Sequence, residues 1–133
     1  MSEYRVTYPR ALTAAKSQLG WLPAGGNSNV LTLLSAGHVA GLYLFTRQVR
    51  IDVAGTAGTF STQVAYSSPT LGAHTFSGFS TTVTSTAAGI DAAATTYTFE
   101  SDGTAAITAT MVPSGITGTP QVSFWAACQL FGF

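Results

Sequence analysis

The chain has 133 residues and no formal net charge, with 8% charged and 46% hydrophobic residues. That length suits one domain able to bury roughly two-thirds of its unfolded surface. The single cysteine, Cys128, excludes an intrachain disulfide, and the abundance of Phe, Tyr, Trp, Val and Ile argues against disorder.

Charge is about a third of the usual share of roughly 25%. In its place stand 21 Thr and 13 Ser. Low charge at net neutrality suits a protein packed into an assembly better than a free monomer, because charge keeps proteins apart. The charge is also divided along the chain. All five bases (Arg5, Arg10, Lys16, Arg47, Arg50) and Glu3 lie in residues 1–50, and four acids (Asp52, Asp91, Glu100, Asp102) lie beyond them. A weakly basic N-terminal segment resting on acidic neighbours is one reading of that asymmetry, and chance among ten charges is the other.

In chain order, Tyr4–Tyr8 alternates like a strand. The start has bases but no apolar core of a signal peptide, and Val39–Phe45 falls far short of the roughly 20 residues of a membrane helix. Synthesis in a cytoplasm, with no membrane and no secretion route, is the expectation. Residues 9–29 are broken by Pro9, Gly20, Pro23, Gly25 and Gly26. Ala11–Leu19 could form a short helix, although it lacks an apolar face. We therefore expect 1–29 to be an extended N-terminal arm ordered by a partner, and 30–133 to be the folded domain. "VLTLLSAG" (30–37) reads as a strand docked on it.

From Tyr43 to Val53 the odd positions are apolar except Arg47, and Thr46, Gln48, Arg50 and Asp52 share the other face, the period of a strand. "AGTAG" (54–58) breaks the run. Phe60, Thr62, Val64 and Tyr66 then share a face, which predicts a hairpin of these two strands. His74–Thr84 is strand-like, 85–94 a loop or a single helical turn, and Thr95–Ser101 alternates again. Asp102–Gly103 predicts a tight hairpin turn at 101–103, followed by a strand with Ala105, Ile107, Ala109 and Met111 facing the core. "VPSGITGTP" (112–120) reads as a loop. In the last strand Val122, Phe124, Ala126, Cys128 and Leu130 point one way, and Ser123, Trp125, Ala127 and Gln129 the other. Strands of this length and spacing, without a helical period between them, predict an all-β antiparallel sandwich or jelly roll. Trp125, Leu42 and Leu44 fall on the face away from the core, as if a partner or the N-terminal segment covers it.

Little in the chain points to catalysis. Neither His38, His74 nor Cys128 has the spacing of a metal site, and no serine sits in a G-x-S-x-G elbow. Glu100 and Asp102 flank a turn, a solvated place for acid–base chemistry. "ESDG" is too short for a calcium loop, and there is no basic stripe for nucleic acid. We expect no enzyme, no metal and no cofactor. Carbohydrate binding through Trp21, Trp125 or Tyr43 stays open beside burial of these rings in a core or interface.

From Leu42 to Leu130 the sequence resembles small β-sandwich (jelly-roll or Ig-like) structural proteins of tailed-bacteriophage particles, such as capsid decoration proteins. The resemblance is carried by "YLFTRQVRIDV", "TFSTQVAYSS", "YTFESDGTAAITATMVPSG" and "PQVSFWAACQLF". Within them lie a "G-T-x-x-I-T" strand (Gly103, Thr104, Ile107, Thr108) and a closing strand from Pro120 and Gln121 to Leu130. It implies a virion protein that binds the major capsid protein or other virion proteins as a symmetric oligomer, a homotrimer for preference. The alternative is a carbohydrate- or receptor-binding module of a tail, neck or head fibre. The interface residues expected on either reading are Arg5, Arg10, Lys16, Trp21, Trp125, Glu100 and Asp102, the two acids meeting the basic arm of a neighbouring subunit.

Overall fold

The alternating runs fold as strands because period two lets each one bury an apolar row and wet the other. The computed structural model describes residues 13–25, 28–84 and 95–132. Eight strands follow one another: β1 (Thr13–Trp21), β2 (Asn29–Leu34), β3 (Gly41–Val53), β4 (Ala57–Ser68), β5 (Gly72–Thr82), β6 (Thr95–Ser101), β7 (Ile107–Thr117) and β8 (Gln121–Gly132). Pro23–Gly25 makes a single 3-10 turn. Two four-stranded sheets result, with orders β1-β8-β3-β6 (sheet A) and β2-β7-β4-β5 (sheet B), and every pairing is antiparallel. Apart from the β4–β5 hairpin, each described link between consecutive strands passes from one sheet to the other. This order is the double Greek key of a jelly roll, so the expected all-β sandwich is observed.

Two expected hairpins are corrected by the pairing. β3 lies in sheet A and β4 in sheet B, so 54–56 is a corner between sheets. There Gly55 N–H donates to the Val83 carbonyl and Thr56 N–H to the Thr117 carbonyl (2.7 and 2.9 Å). Likewise β6 and β7 lie in different sheets. Residues 102–106 cross between them, and Asp-Gly serves the corner rather than a hairpin. Gly103 has φ +79, and a Cβ there would lie 2.2 Å from the His38 carbonyl oxygen. Only glycine tolerates both the dihedral and the approach.

Two further expectations change. Residues 112–117, read as loop, continue β7. Pro113 is tolerated because β2 has already ended at the Asn29–Met111 pair, so no ladder bond is lost on that flank. Residues 13–25, read as part of an arm with a short helix, instead supply β1, an edge strand in register with β8 from Thr13↔Gln129 to Trp21↔Val122. Residues 1–12, including Arg5 and Arg10, and the expected loop 85–94 lie outside the described residues.

The core forms where the inward rows meet. Tyr43, Phe45, Val49 and Ile51 of β3 and Val122, Phe124, Ala126, Cys128 and Leu130 of β8 face Phe60, Val64 and Tyr66 of β4 and Ile107, Ala109 and Met111 of β7, all buried. Burying each large apolar side chain stabilises by about 1.5–3 kcal/mol. Trp21 belongs to this core, edge-on to Phe60 and Phe124 at 5.6 and 5.8 Å. The expectation that it lies in an interface is therefore corrected; for Tyr43, fully buried, the core is the one of the two readings that holds. Arg47 keeps its place in the inward row at 1% exposure. It donates from β3 to Thr62 and Thr81 Oγ1 of sheet B (2.8 and 2.6 Å), with Phe60 and Phe79 against its guanidinium. A cation thus joins the two sheets through hydroxyl acceptors and ring faces.

Candidate functional site

The outer face of sheet A is assembled from residues far apart in sequence. On β3 the outward row is Leu42, Leu44, Thr46, Gln48 and Arg50; on β8 it is Ser123, Trp125, Ala127 and Gln129. Register sets Gln48 beside Trp125, Thr46 beside Ala127 and Arg50 beside Ser123. On the other flank of β8, Ser17 pairs with Trp125 and Ala15 with Ala127. Small side chains at Ala15, Ala127 and Thr46 leave room beside the large indole. The result is a depression of about 470 Å³ bordered by the outward residues Ala15, Ser17, Thr46, Gln48, Trp125 and Ala127, with Lys16, Arg47 and Ala126 of the opposite rows behind them. That volume lies within the roughly 300–1,000 Å³ of small-ligand sites.

Trp125 is held in place by charge. The Arg50 guanidinium lies over its ring at 5.4 Å. Arg50 Nε donates to Asp52 Oδ1 at 2.5 Å, and the Ser123 hydroxyl donates to Asp52 Oδ2. Ser123 Oγ in turn accepts the Gly20 N–H of β1 at 3.1 Å. The Ser123 hydrogen bond, and then Arg50, hold the Asp52 carboxyl below its usual range. The clamp therefore stays ionised at neutral pH and ties β1, β3 and β8 together. Arg50 does not border the depression, so it holds the indole from the side away from it.

A second cluster closes the opposite end of the sandwich. Nδ1 of His38 lies 2.9 Å from the Ser35 carbonyl oxygen, and Nε2 lies 2.7 Å from Ser101 Oγ. A carbonyl can only accept, so Nδ1 carries a proton, and Nε2 shares a hydrogen bond with the Ser101 hydroxyl. Ser101 Oγ also accepts the Gly103 N–H. This has the elements of a serine–histidine pair. Ser101 is wholly buried, however, which leaves no space for an acyl group, so the pair serves as a latch on the corner. Asp102 is engaged in the same corner. Its Oδ1 accepts the backbone N–H and the hydroxyl of Thr104, and its Oδ2 accepts the Ser67 hydroxyl. Those bonds to Thr104, then Ser67 and the nearby His38, lower its pKa. Burial pushes the Cys128 thiol up to about 12, which leaves it without nucleophilic thiolate. No group of three or more His, Cys, Asp or Glu able to hold a metal exists among the described residues. No helix among them is long and apolar enough to cross a membrane.

Of the expected interface residues, the structure sets the Trp125 ring at the depression; Lys16, opposite Ala126 on β8, belongs to the row of β1 on the other face of the sheet. Glu100, exposed on β6 opposite Leu42, stands six residues further along β3, about 20 Å away at roughly 3.3 Å per residue. Sequence reasoning missed Ala15, Ser17, Thr46, Gln48 and the Arg50–Asp52 clamp. Their outward alternation was readable, but the adjacency of β3 to β8 and of β8 to β1 was not.

No family model matches the chain, and no curated protein matches it. Among solved structures it is similar to a chain in the cryo-electron-microscopy structure of mud crab tombus-like virus at 3.3 Å resolution. The identity is 8% and the TM-score 0.32, over 100% of this chain and 94% of that chain. The jelly-roll assignment stands on the strand order and registers given above.

Proposed function

We propose that this protein is a non-enzymatic structural component of a virion, and more specifically a bacteriophage capsid decoration protein that binds the shell as a symmetric trimer. One observation carries the reading: an eight-stranded jelly roll with a filled interior and an almost uncharged exterior. Jelly rolls serve chiefly as capsid subunits, lectins and cupins. The cupin use needs an internal cavity with a ligand set, and here Phe, Tyr, Ile and Met occupy that space. A shell component needs rigidity and outward contacts, both of which this chain offers.

The subunit contact is assigned to one end of sheet A. Val39, Leu42 and Phe131 are exposed there at 49%, 40% and 55%, beside Glu100. The basic residues Arg5 and Arg10 of a neighbouring chain would pair with Glu100, combining an apolar centre with a charged rim. The major capsid protein is the expected further partner, with synthesis in the host cytoplasm before assembly.

Native mass spectrometry of the purified chain tests the oligomer: a trimer is expected, dissociated by Leu42→Lys with Phe131→Lys. A compact monomer that fails to co-sediment with purified shells overturns the proposal.

A further inference from the structure

We infer, building on the proposed assembly of this chain with copies of itself, that residues 4–8 of a neighbouring copy add to β6 as a further antiparallel strand of sheet A, with Arg5 beside Glu100.

The fold leaves one edge suited to this. An edge strand offers unpaired N–H and C=O groups to any strand that matches it. The four edges are β1 and β6 of sheet A and β2 and β5 of sheet B. β1, β2 and β5 each carry a register shift against their neighbour, with the extra residue on the edge strand itself. Such a bulge twists an edge away from further pairing. β6 has none, and runs in step with β3 from Gly41↔Ser101 to Arg47↔Thr95. Among the described residues no strand lies on its other flank.

The two rows of β6 select the occupant. Thr96, Thr98 and Glu100 point outward and are exposed. Tyr97 and Phe99 point inward. Tyr97 stacks on Phe76 of β5 at 3.9 Å, and both rings are only half-buried. A matching strand therefore needs an apolar row to cover this aromatic seam and a polar row with a base to meet Glu100. Residues 4–8, "YRVTY", alternate in that way: Tyr4, Val6 and Tyr8 against Arg5 and Thr7. With Arg5 opposite Glu100, the antiparallel register sets Thr7 opposite Thr98, Val6 opposite Phe99 and Tyr8 opposite Tyr97. One register satisfies both rows, and a slip by one residue would turn Val6 and the tyrosines to water.

The same register makes the donor a second copy. β1 runs parallel to β3, since both are antiparallel to β8. A strand antiparallel to β6 runs in that direction too. Within one chain, residues 4–8 and β1 would thus be parallel strands at opposite edges of sheet A. Parallel strands need a crossover of a dozen or more residues, and only residues 9–12 lie between Tyr8 and Thr13.

Disulfide trapping on the full chain tests the pairing, because the native Cys128 is wholly buried and does not compete. Thr7→Cys and Thr98→Cys chains are mixed, mildly oxidised, and the linked peptides identified by mass spectrometry. We expect a dimer joined from 7 to 98, at least about tenfold above the yield of Thr7→Cys with Ser77→Cys on sheet B, since the contact raises the effective concentration. Val6→Asp places a charge in the aromatic row and should abolish the link. Arg5→Glu should weaken it, and Glu100→Arg in the Thr98→Cys chain should restore it. A trimer in native mass spectrometry without the link from 7 to 98 overturns the inference and leaves the shell reading standing. A compact monomer overturns both. A double variant, Thr7→Cys with Thr98→Cys, that closes its disulfide within one chain returns the segment to its own subunit and also overturns the inference.

Discussion

The two sheets are alike on their inner faces and opposite on their outer ones. All five charged residues in the described strands (Lys16, Arg47, Arg50, Asp52, Glu100) lie in sheet A; β2, β4, β5 and β7 carry none. The outer face of sheet B is built mainly from Thr32, Ser61, Gln63, Thr75, Ser77, Thr108 and Thr110, with Val30, Ala65 and Val112 set among them; Thr32 lies opposite Thr108 and Gln63 opposite Thr110 and Ser77. Hydroxyl ladders suit strands and are wetted by water without charge. Sheet A instead concentrates its large rings, cations and acids into a clamp, a depression and an exposed apolar end. The difference teaches that the shortage of charge is local: one sheet is an inert wall, and the other holds the chemistry.

The largest effects should come from the shared interior and show no preference between sheets. Phe60 of sheet B and Phe124 of sheet A are both fully buried and both pack on Trp21. Replacing either with Ala should cost about 3–5 kcal/mol in urea-induced unfolding. A much smaller loss at one of them would mean that the two sheets do not share one core.

The corner between the sheets comes next. Gly103→Ala places a methyl group against the His38 carbonyl at a positive φ, and should cost about 1–3 kcal/mol. The loss should be accompanied by faster amide exchange at Gly37, whose N–H donates to the Gly103 carbonyl at 2.7 Å. A neutral substitution would show that the latch of His38, Ser101 and Gly103 is not what joins β6 to β7.

This corner also marks how far the sequence could be read. Alternation identified the inward rows of β3, β4, β7 and β8 residue by residue, including the odd placement of Arg47, because a strand's period is a local property. Which strand lies beside which is decided by long-range register. Two glycine-marked corners were therefore read as hairpins, since a hairpin and a crossing between sheets use the same turn residues. The burial of Trp21 is not legible in the same way, because the register shift between Gln18 and Trp21 breaks the period just where the ring turns inward. The site failed for the same reason. Thr46, Gln48, Arg50, Trp125 and Ala127 were all placed on outward faces, but nothing local says that β3 and β8 are neighbours.

Acid should act on the clamp of sheet A and on Asp102 at the corner between the sheets. The folded pKa of Asp52 lies below its unfolded value. Its contribution is then fully present above about pH 4, the usual range of a free Asp, and is lost as pH falls through the folded pKa. Arg50 and Asp52 are 43% and 20% exposed, so solvent and salt limit the gain to about 0–1 kcal/mol. Unfolding midpoints measured from pH 7 to 2 should decline less steeply for Asp52→Asn. A profile identical to that of the native protein would mean that the clamp does not hold its geometry in solution.

The smallest effects are expected on the outer face of sheet B, and they decide whether it is inert. Thr110 lies on β7, half-exposed between Val30 of β2 and Gln63 of β4. Thr110→Val removes one hydroxyl and keeps the β-branched shape that a strand favours. Stability should move by no more than about 0.5 kcal/mol, and the oligomeric state seen by native mass spectrometry should not change. Thr110→Lys at the same point asks the converse question, because a charge there would be the first among the four strands of sheet B. If sheet B is only a wetted wall, that lysine leaves assembly intact, whereas Leu42→Lys in sheet A disrupts it. If Thr110→Lys disrupts assembly as strongly, the uncharged face is itself buried against a partner, and the contrast between the two sheets would have to be redrawn as two kinds of interface.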